Sequence, residues 1–219
     1  MEMKELIGEG LNKKIYATNQ SDQVIYAYND KKKGDKTEVN TAVSGFLFEY
    51  LESYNVPTHF VKTIDSKSFA ARKLELIPMS IQVHNIADED LGNRFGLESG
   101  KVLEFPIVEM YFRKDGGEEH LINEYHAYAL GLCDRKEMTS ISRIATKVNA
   151  VLKSFFDRRK LRLVNFRLEF GRAGSQIYLA DELSLDTMNV RLVDDKGEMQ
   201  KADEDKKTLA EIKARITGD

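Results

Sequence analysis

The chain has 219 residues, of which 42% are hydrophobic and 32% are charged, and its formal net charge is −3. This size and balance indicate a folded protein with a sizeable core, built as one unit or two small ones. The single cysteine, Cys133, excludes an internal disulfide framework and a cysteine-rich zinc site, and we interpret it as structural. No apolar run reaches the ~20 residues that span a bilayer, and the weakly acidic balance gives no global nucleic-acid footprint. We therefore expect a cytoplasmic protein without a membrane or nucleic-acid partner.

The first third of the chain predicts strands around one helix. Residues 15–17 and 24–28 are rich in strand-forming side chains and are separated by a polar turn, which predicts a hairpin. Apolar residues then recur at helical spacing from Val39 to Tyr54, and Pro57 ends that helix. Further strands are expected at 58–64, 68–77 and 79–85.

Pro78 falls between two of these strands and predicts a lobe boundary, with units at 1–78 and 79–219. In the second unit, the acidic run 88–90 predicts a turn. The tail from 194 to 219 is nearly all charged or small, so it predicts a short surface helix at most.

The clearest helix starts near Asp134, where Glu137 three residues later predicts a capping box. After this helix, residues 161–170 and 176–184 predict two strands joined through a glycine-containing turn. These strands carry the most informative polar residues of the chain.

Carboxylates in this final hairpin predict a cation site. Glu169 lies near the end of the first strand, and Asp181 and Glu182 lie within the second. Neighbouring strands are ~4.8 Å apart, so carboxylates on one face can share a divalent cation and hold it against nucleotide phosphates. A solvated hairpin face with Arg167 as an ion-pair partner explains the same pattern, and the spacing alone favours that simpler interpretation.

Gly8 and Gly10, followed by Lys13, give a second and weaker signal near the N-terminus. Such a turn can pass over phosphates while the lysine reaches their oxygens. An ordinary β-turn accounts for the same residues.

The segment 163–171, LVNFRLEFG, closely resembles a signature of the SAICAR synthetase family, L-x-x-V/I-D-F-K-x-E-F-G. Residues 179–186, LADELSLD, are similar to the family's second signature, (A/G)-D-E-x-S-P-D. Segments 10–16, 48–61, 94–100 and 105–123 also match in order, so the resemblance covers almost the whole chain. The family joins a carboxyaminoimidazole ribotide to aspartate with ATP. The resemblance therefore implies a two-lobed α+β fold, with a kinase-like, β-rich N-lobe and an ATP-grasp-like C-lobe.

The resemblance also implies roles for individual residues. The implied catalytic residues are Lys13, Asp35 and Arg167. The implied nucleotide-binding residues are Lys13, Lys73, Glu169 and Asp181, of which Glu169 and Asp181 are the metal ligands. ATP and Mg²⁺ are the implied cofactors, a small carboxylate and an aspartate-like amino acid are the substrates, and a homodimer is the assembly.

Departures from the family pattern concentrate where the family holds the ribotide 5′-phosphate. The family's arginine and serine are His84 and Asp90 here, and its D-F-K lysine is Arg167. A further family arginine falls on Asn189 without a gap, or on Arg191 with an insertion. The expected substrate-binding residues are His84, Asp90, Arg94, Arg167, Asn189 and Arg191.

The acidic run 88–90 would repel a phosphate by ~1 kcal/mol or more for each close pair of like charges. We therefore expect a divergent, ADP-forming ligase that activates a carboxylate lacking the phosphate and joins it to an amine. An authentic SAICAR synthetase with a rearranged phosphate pocket is the first alternative. A non-catalytic nucleotide-binding homologue is the second, because Leu11 replaces a lysine of the N-terminal motif.

Overall fold

The computed structural model describes residues 1–10, 12–28, 36–114, 117–201 and 205–218. The first lobe contains a five-stranded antiparallel sheet and one helix. Its strands are β1 Met3–Glu9, β2 Lys13–Thr18, β3 Gln23–Tyr28, β4 Phe60–Asp65 and β5 Ser68–Arg72, and its helix is α1 Thr37–Ser53. The strand order is β1-β2-β3-β5-β4, and α1 packs against β3, β4 and β5. The predicted hairpin is β2–β3, and the predicted helix is α1.

The second lobe is built on a six-stranded antiparallel sheet. Its strands are β6 Glu75–Ile86, β7 Val102–Arg113, β8 Glu119–Ile122, β9 Leu161–Ala173, β10 Gln176–Ala180 and β11 Met188–Leu192. Its helices are α2 Glu89–Phe95, α3 Glu124–Ala129, α4 Arg135–Asp157 and α5 Lys206–Thr217. The order is β10-β9-β6-β7-β8, and β11 pairs with the other half of β9.

The two faces of the second sheet differ in chemistry. Because strand side chains alternate, one face of β6 and β9 carries apolar residues such as Ile81 and Phe166, which are buried in the core with α4. The other face is polar, with cross-strand neighbours in register. These pairs are Ser80–Glu169, Gln82–Arg167 and His84–Asn165. The polar face is the surface available to ligands.

The chain joins the two sheets next to β10. The backbone N–H of Leu179 donates to Pro57 O, and the N–H of His59 donates to Leu179 O, both at 2.9 Å. Residue 58 therefore pairs with β10 just before the chain enters β4 of the first lobe. This junction brings the first lobe close to the end of β10.

The start of α4 confirms the predicted capping box. Asp134 Oδ1 accepts hydrogen bonds from the backbone N–H groups of Lys136 and Glu137, and Glu137 Oε2 accepts one from Asp134 N. Cys133, just before this helix, is buried, and burial raises the pKa of its thiol to about 11. This protonated thiol fits the structural role expected from the sequence.

Pro78 lies inside one strand rather than between two. Strand β6 continues through it, although the pairing with β9 is irregular between Leu76 and Ser80. Pairing with β7 begins only at Met79, so the missing N–H of the proline removes no ladder hydrogen bond. The chain passes from the first sheet to the second between Arg72 and Glu75. The division into units 1–78 and 79–219 stays a prediction.

Two other local predictions were wrong, and a third, the short surface helix in the tail, was right about the helix but did not include its packing against α1. The acidic run 88–90 starts helix α2, and Asp88 caps it by accepting from Leu91 N. Strand β10 ends at Ala180, before the predicted bound of 184. The C-terminal tail forms α5, which packs against α1 through buried Leu209, Ile212 and Ile216. No helix among the described residues is long and apolar enough to cross a membrane.

Candidate active site

Three carboxylates meet at the end of β10. Glu169 on β9 pairs with Ala180, and Asp181 follows directly. Asp181 has a left-handed backbone with φ 65°, which is uncommon for a residue other than glycine. Successive strand residues normally point to opposite faces, but this conformation lets Asp181 and Glu182 reach the same group. That group is Lys13.

Lys13, at the start of β2, connects the first lobe to this cluster. Its Nζ donates to Asp181 Oδ2 at 2.6 Å and to Glu182 Oε1 at 2.7 Å. Burial alone would lower the pKa of Lys13, but the charges of Asp181 and Glu182 raise it above its ordinary value. Lys13 is therefore a permanently charged ammonium between two carboxylates.

Glu169 has no hydrogen-bonded ammonium of this kind among the residues that the structure describes, and its environment disfavours the ionised form. Burial, followed by the charge of Asp181, raises the pKa of Glu169 to about 7. Burial also raises the pKa of Asp181, against the opposing charge of Lys13. The two carboxylates thus form a buried site with excess negative charge, which a cation would relieve.

The donor set fits Mg²⁺ bound together with phosphate oxygens. Among the described residues, no group of three or more His, Cys, Asp or Glu side chains forms a complete metal cage. Mg²⁺ in nucleotide sites is usually held by one or two carboxylates, several waters and the phosphates themselves. Glu169 and Asp181 would be the two carboxylates of such a site, which stays a prediction.

Asp186 connects the second lobe to Asn12 and to the start of helix α1 in the first lobe. Its carboxylate accepts hydrogen bonds from Asn12 Nδ2 at 2.9 Å, Asn40 Nδ2 at 2.8 Å and Lys36 Nζ at 3.4 Å. Asn12 Nδ2 also lies 3.3 Å from Glu182 Oε1. The sequence pattern named Glu182 among the hairpin carboxylates without assigning it a role, and it did not include Asp186 or Asn12, although Asp186 lies in the LADELSLD segment.

A cavity of about 870 Å³ opens beside this cluster, over the polar face of the second sheet. Within the described part of the chain, its charged lining consists of Lys36, Arg167, Asp186, Arg191 and Lys201. Four of these five residues are cationic. Arg191 Nε donates to Asn189 Oδ1 at 2.6 Å, and both side chains line the cavity. The cavity is therefore suited to an anionic ligand.

Helix α5 forms part of the cavity wall. Thr208, Leu209 and Ile212 line it, next to Gln200 and Lys201. The tail therefore contributes to the site, which its charged composition did not indicate.

Arg94 and the acidic residues around it balance each other's charge in the region that also contains His84 and Asp90. Arg94 donates two hydrogen bonds to Glu109, at 2.7 and 2.9 Å, and one to Asp90 at 2.9 Å. His84 is buried, with Nε2 3.3 Å from Glu109 Oε2 and Nδ1 3.6 Å from Asp88 Oδ2. Burial would raise the pKa of Glu109, but Arg94 holds the pKa of this carboxyl below its ordinary value. The contacts with Arg94 and His84 show that Asp90 and Asp88 both have partners of their own.

Arg167 is held in place on the cavity floor. Its guanidinium makes two hydrogen bonds to the carboxylate of Glu119 on β8, one of them at 3.0 Å. Asn165, its neighbour on the same face, donates to Asp88 Oδ2 at 2.8 Å.

The family model for SAICAR synthetase matches residues 6–215 of the chain. The chain belongs to the SAICAR synthetase family. A phosphoribosylaminoimidazole-succinocarboxamide synthase of Chlorobium limicola is 42% identical over 211 residues, which cover 92% of this chain and 89% of the relative. One from Clostridium botulinum is 38% identical over 216 residues, covering 94% and 91%. A solved SAICAR synthetase (type 2) in complex with ADP is 32% identical, covers 100% and 98%, and superposes with a TM-score of 0.86.

These similarities confirm the predicted family and its two-lobed, ATP-grasp-like α+β fold. They also confirm, at the level of the family, an ATP-dependent, ADP-forming amide ligase. The expectation of a paralogue with an unphosphorylated substrate is not supported, because relatives near 40% identity carry the synthase name over most of the chain. Its physical premise was also wrong: Asp90 pairs with Arg94, and the cavity lining is cationic.

The structure of this SAICAR synthetase family member places the predicted site residues in three separate groups. Lys13 contacts Asp181, and Glu169 lies in register beside β10. Residues that line the cavity are Arg167, Asn189 and Arg191. Residues in the neutralised cluster are His84, Asp90 and Arg94. Lys73 is exposed in the connection between β5 and β6, rather than on a strand, and Asp35 lies outside the described residues. Their binding and catalytic roles stay predictions.

Proposed function

We propose that the chain is an authentic SAICAR synthetase, which joins carboxyaminoimidazole ribotide to L-aspartate while ATP is converted to ADP and phosphate. The observation that carries this proposal is the cationic cavity beside the Lys13–carboxylate cluster. Both substrates are anions, and the ribotide carries a phosphate and a carboxylate. The curated relatives named as this synthase support the same reaction.

The nucleotide is proposed to lie between the lobes, with its phosphates at Lys13 and with Mg²⁺ held by Glu169 and Asp181. The relative solved with ADP supports a nucleotide site in this fold. When bound, the divalent cation neutralises phosphate oxygens during transfer. Lys13 adds a second positive charge from the first lobe, and Asp186 holds the Asn12 loop and the start of α1 beside it through Asn12 and Asn40.

The reaction proceeds in two steps, phosphoryl transfer to the carboxylate and then amide formation. A carboxylate oxygen of the ribotide attacks the γ-phosphorus of ATP, and the bond to the bridging oxygen breaks, releasing ADP and leaving an acyl phosphate. The aspartate amine then attacks the acyl carbon, forms the amide, loses a proton and expels phosphate. Arg167, fixed by Glu119, and Arg191 stabilise the anionic groups on the cavity floor.

Omission assays test this proposal. ADP release is measured with ATP, Mg²⁺, L-aspartate and the ribotide, and each component is left out in turn. We expect turnover only when all four are present. ADP release that does not depend on the ribotide would contradict the proposed substrate. Binding of ATP and Mg²⁺ without any turnover would instead favour the non-catalytic alternative.

The homodimer implied by the resemblance stays a proposal, and the second sheet offers a surface for it. Val102, Phe105 and Val108 on β7 are 63%, 76% and 49% exposed. Burying these exposed apolar side chains against a second copy would remove them from water. The cytoplasm is the compartment we propose for this reaction.

A further inference from the structure

Asp181 and Glu182 share one ammonium group but differ in access. The side chain of Asp181 is 15% exposed, whereas that of Glu182 is 2% exposed. Glu182 is also held from the first lobe by Asn12, in addition to Lys13. A hydrated cation that arrives from solvent can therefore reach Asp181, whereas Glu182 is enclosed.

The charge of the cluster makes Lys13 a substitute for a bound cation. Glu169, Asp181 and Glu182 bring three carboxylates together, and Lys13 is the ammonium in hydrogen-bond contact with two of them. A divalent cation on Asp181 would lie within a few ångströms of this ammonium, and two like charges so close repel each other strongly. The ammonium and the cation therefore compete for Asp181.

We propose that Lys13 and the divalent cation exchange at Asp181, and that Glu182 is a positioning residue that keeps Lys13 in the site during the exchange. The inference rests on the proposed function, and it gives Glu182 a role distinct from metal ligation. In the metal-free protein, Lys13 balances the charge of Asp181. When the cation takes its place, the ammonium stays on Glu182 and its remaining N–H donors serve the nucleotide phosphates.

Binding of Mn²⁺ without nucleotide tests the exchange directly. Electron paramagnetic resonance measures the concentration of free Mn²⁺ while the purified full chain is titrated. Lys13→Met should bind Mn²⁺ at least tenfold more tightly than the wild type, because the competitor is gone. Lys14→Met is the matched control: it removes the same charge one residue away, where Nζ lies 3.7 Å from Glu9 Oε1, and should leave the affinity unchanged. Equal or weaker binding by Lys13→Met would overturn the proposal.

A second measurement uses the wild type and so does not depend on how the variant folds. Reductive methylation followed by mass spectrometry reports the reactivity of each lysine. Lys13 should be protected in the metal-free protein and react several-fold faster with saturating Mn²⁺, while Lys14 reacts equally in both states. A reactivity of Lys13 that Mn²⁺ does not change would contradict the exchange.

Double variants separate the role of Glu182 from ligation. In the Lys13→Met background, adding Asp181→Asn should remove most of the Mn²⁺ affinity, whereas adding Glu182→Gln should cost much less. Equal losses would show that Glu182 is itself a ligand. These experiments use no substrate, so their outcome is independent of whether the chain performs the proposed reaction.

Discussion

The guanidinium of Arg94 and the carboxylate of Glu109 form a bidentate ion pair, with N–O distances of 2.7 and 2.9 Å. Tyr111 donates its hydroxyl to the same carboxylate at 2.8 Å, and His84 Nε2 lies 3.3 Å from it. Glu109 is thus the centre of the cluster that contains the substituted family positions His84 and Asp90. The substituted residues belong to the network of Arg94 and Glu109, and the lining of the neighbouring cavity is cationic.

Replacing Glu109 tests the importance of this network for stability. Glu109→Gln leaves Arg94 and His84 without their shared carboxylate, and we expect the free energy of unfolding to fall by about 2 kcal/mol. Urea denaturation measures this change. Glu104→Gln, at an exposed position of the same strand, is the control and should stay within ~0.5 kcal/mol of the wild type. Similar losses in both variants would show that the cluster adds nothing specific.

The raised pKa of Glu169 predicts a pH-dependent stability. Its pKa is about 7 in the folded protein and 4.5 ordinarily, so the folded state binds a proton that the unfolded chain releases between these values. The stability from this group is complete below about pH 4.5 and is lost as the pH rises to 7. Asp181 shares the titration, so the profile belongs to the pair.

Glu169→Gln cannot ionise and should gain stability relative to the wild type as the pH rises from 5 to 8. Urea denaturation in EDTA, which removes divalent cations, measures the difference at both values. A difference that is the same at both pH values would contradict the assigned environment of Glu169.

The two proposed metal carboxylates should be indispensable for turnover. Glu169→Gln or Asp181→Asn should lower metal-dependent ADP formation by about 10²-fold or more, because transition-state charge loses its counter-ion. Asp22→Asn, in the exposed β2–β3 turn, is the control and should retain full activity. Full activity of either site variant would show that the metal is held elsewhere.

Helix α5 allows packing and substrate contact to be separated. Ile212 and Ile216 are both buried, but Ile212 also lines the cavity. Truncation of either residue to Ala should lower the free energy of unfolding by about 2–4 kcal/mol. Only Ile212→Ala should also raise the KM of the carboxylate substrate, as steady-state assays below the unfolding range would show. An equal effect of both variants on KM would mean that α5 acts through stability alone.

The exposed apolar strand predicts how the chain assembles. Phe105→Glu should convert the proposed homodimer to a monomer, because a charge would be buried in the interface. Light scattering coupled to size-exclusion chromatography measures the mass. Val61→Glu, at a 43% exposed position on β4, is the matched control and should leave the mass unchanged. A dimer that survives Phe105→Glu would place the interface on another surface.

Local patterns predicted much of the fold. The stripe of α4, with Ile141 and Val148 fully buried, follows from helical spacing, and its capping box follows from two residues. The hairpin β9–β10 and the polar face that carries Glu169 also follow from strand alternation, whereas Asp181 and Glu182 lie beyond the end of β10. By contrast, β1 is exposed along nearly its whole length, so it carries no burial pattern to detect.

The electrostatic organisation of the site could not be predicted in this way. Arg94 on α2 meets Glu109 on β7 across 15 residues, and Arg167 on β9 meets Glu119 on β8 across 48, so the first pairing depends on where α2 lies and the second on the order of strands in the sheet. Without these partners, the acidic run 88–90 looked like a barrier to phosphate. The left-handed backbone at Asp181 was equally hidden, because a non-glycine residue gives no local signal for it.

The most direct test of the central claim compares carboxyaminoimidazole ribotide with its dephosphorylated nucleoside in the complete assay. Both are supplied with ATP, Mg²⁺ and L-aspartate, and the amide product is detected by mass spectrometry. An authentic synthase with a cationic cavity should use the ribotide with a kcat/KM about 10²-fold higher or more, as expected from losing charge-assisted contacts. Equal or better use of the nucleoside would contradict the proposed function and would favour a ligase whose carboxylate substrate lacks the phosphate.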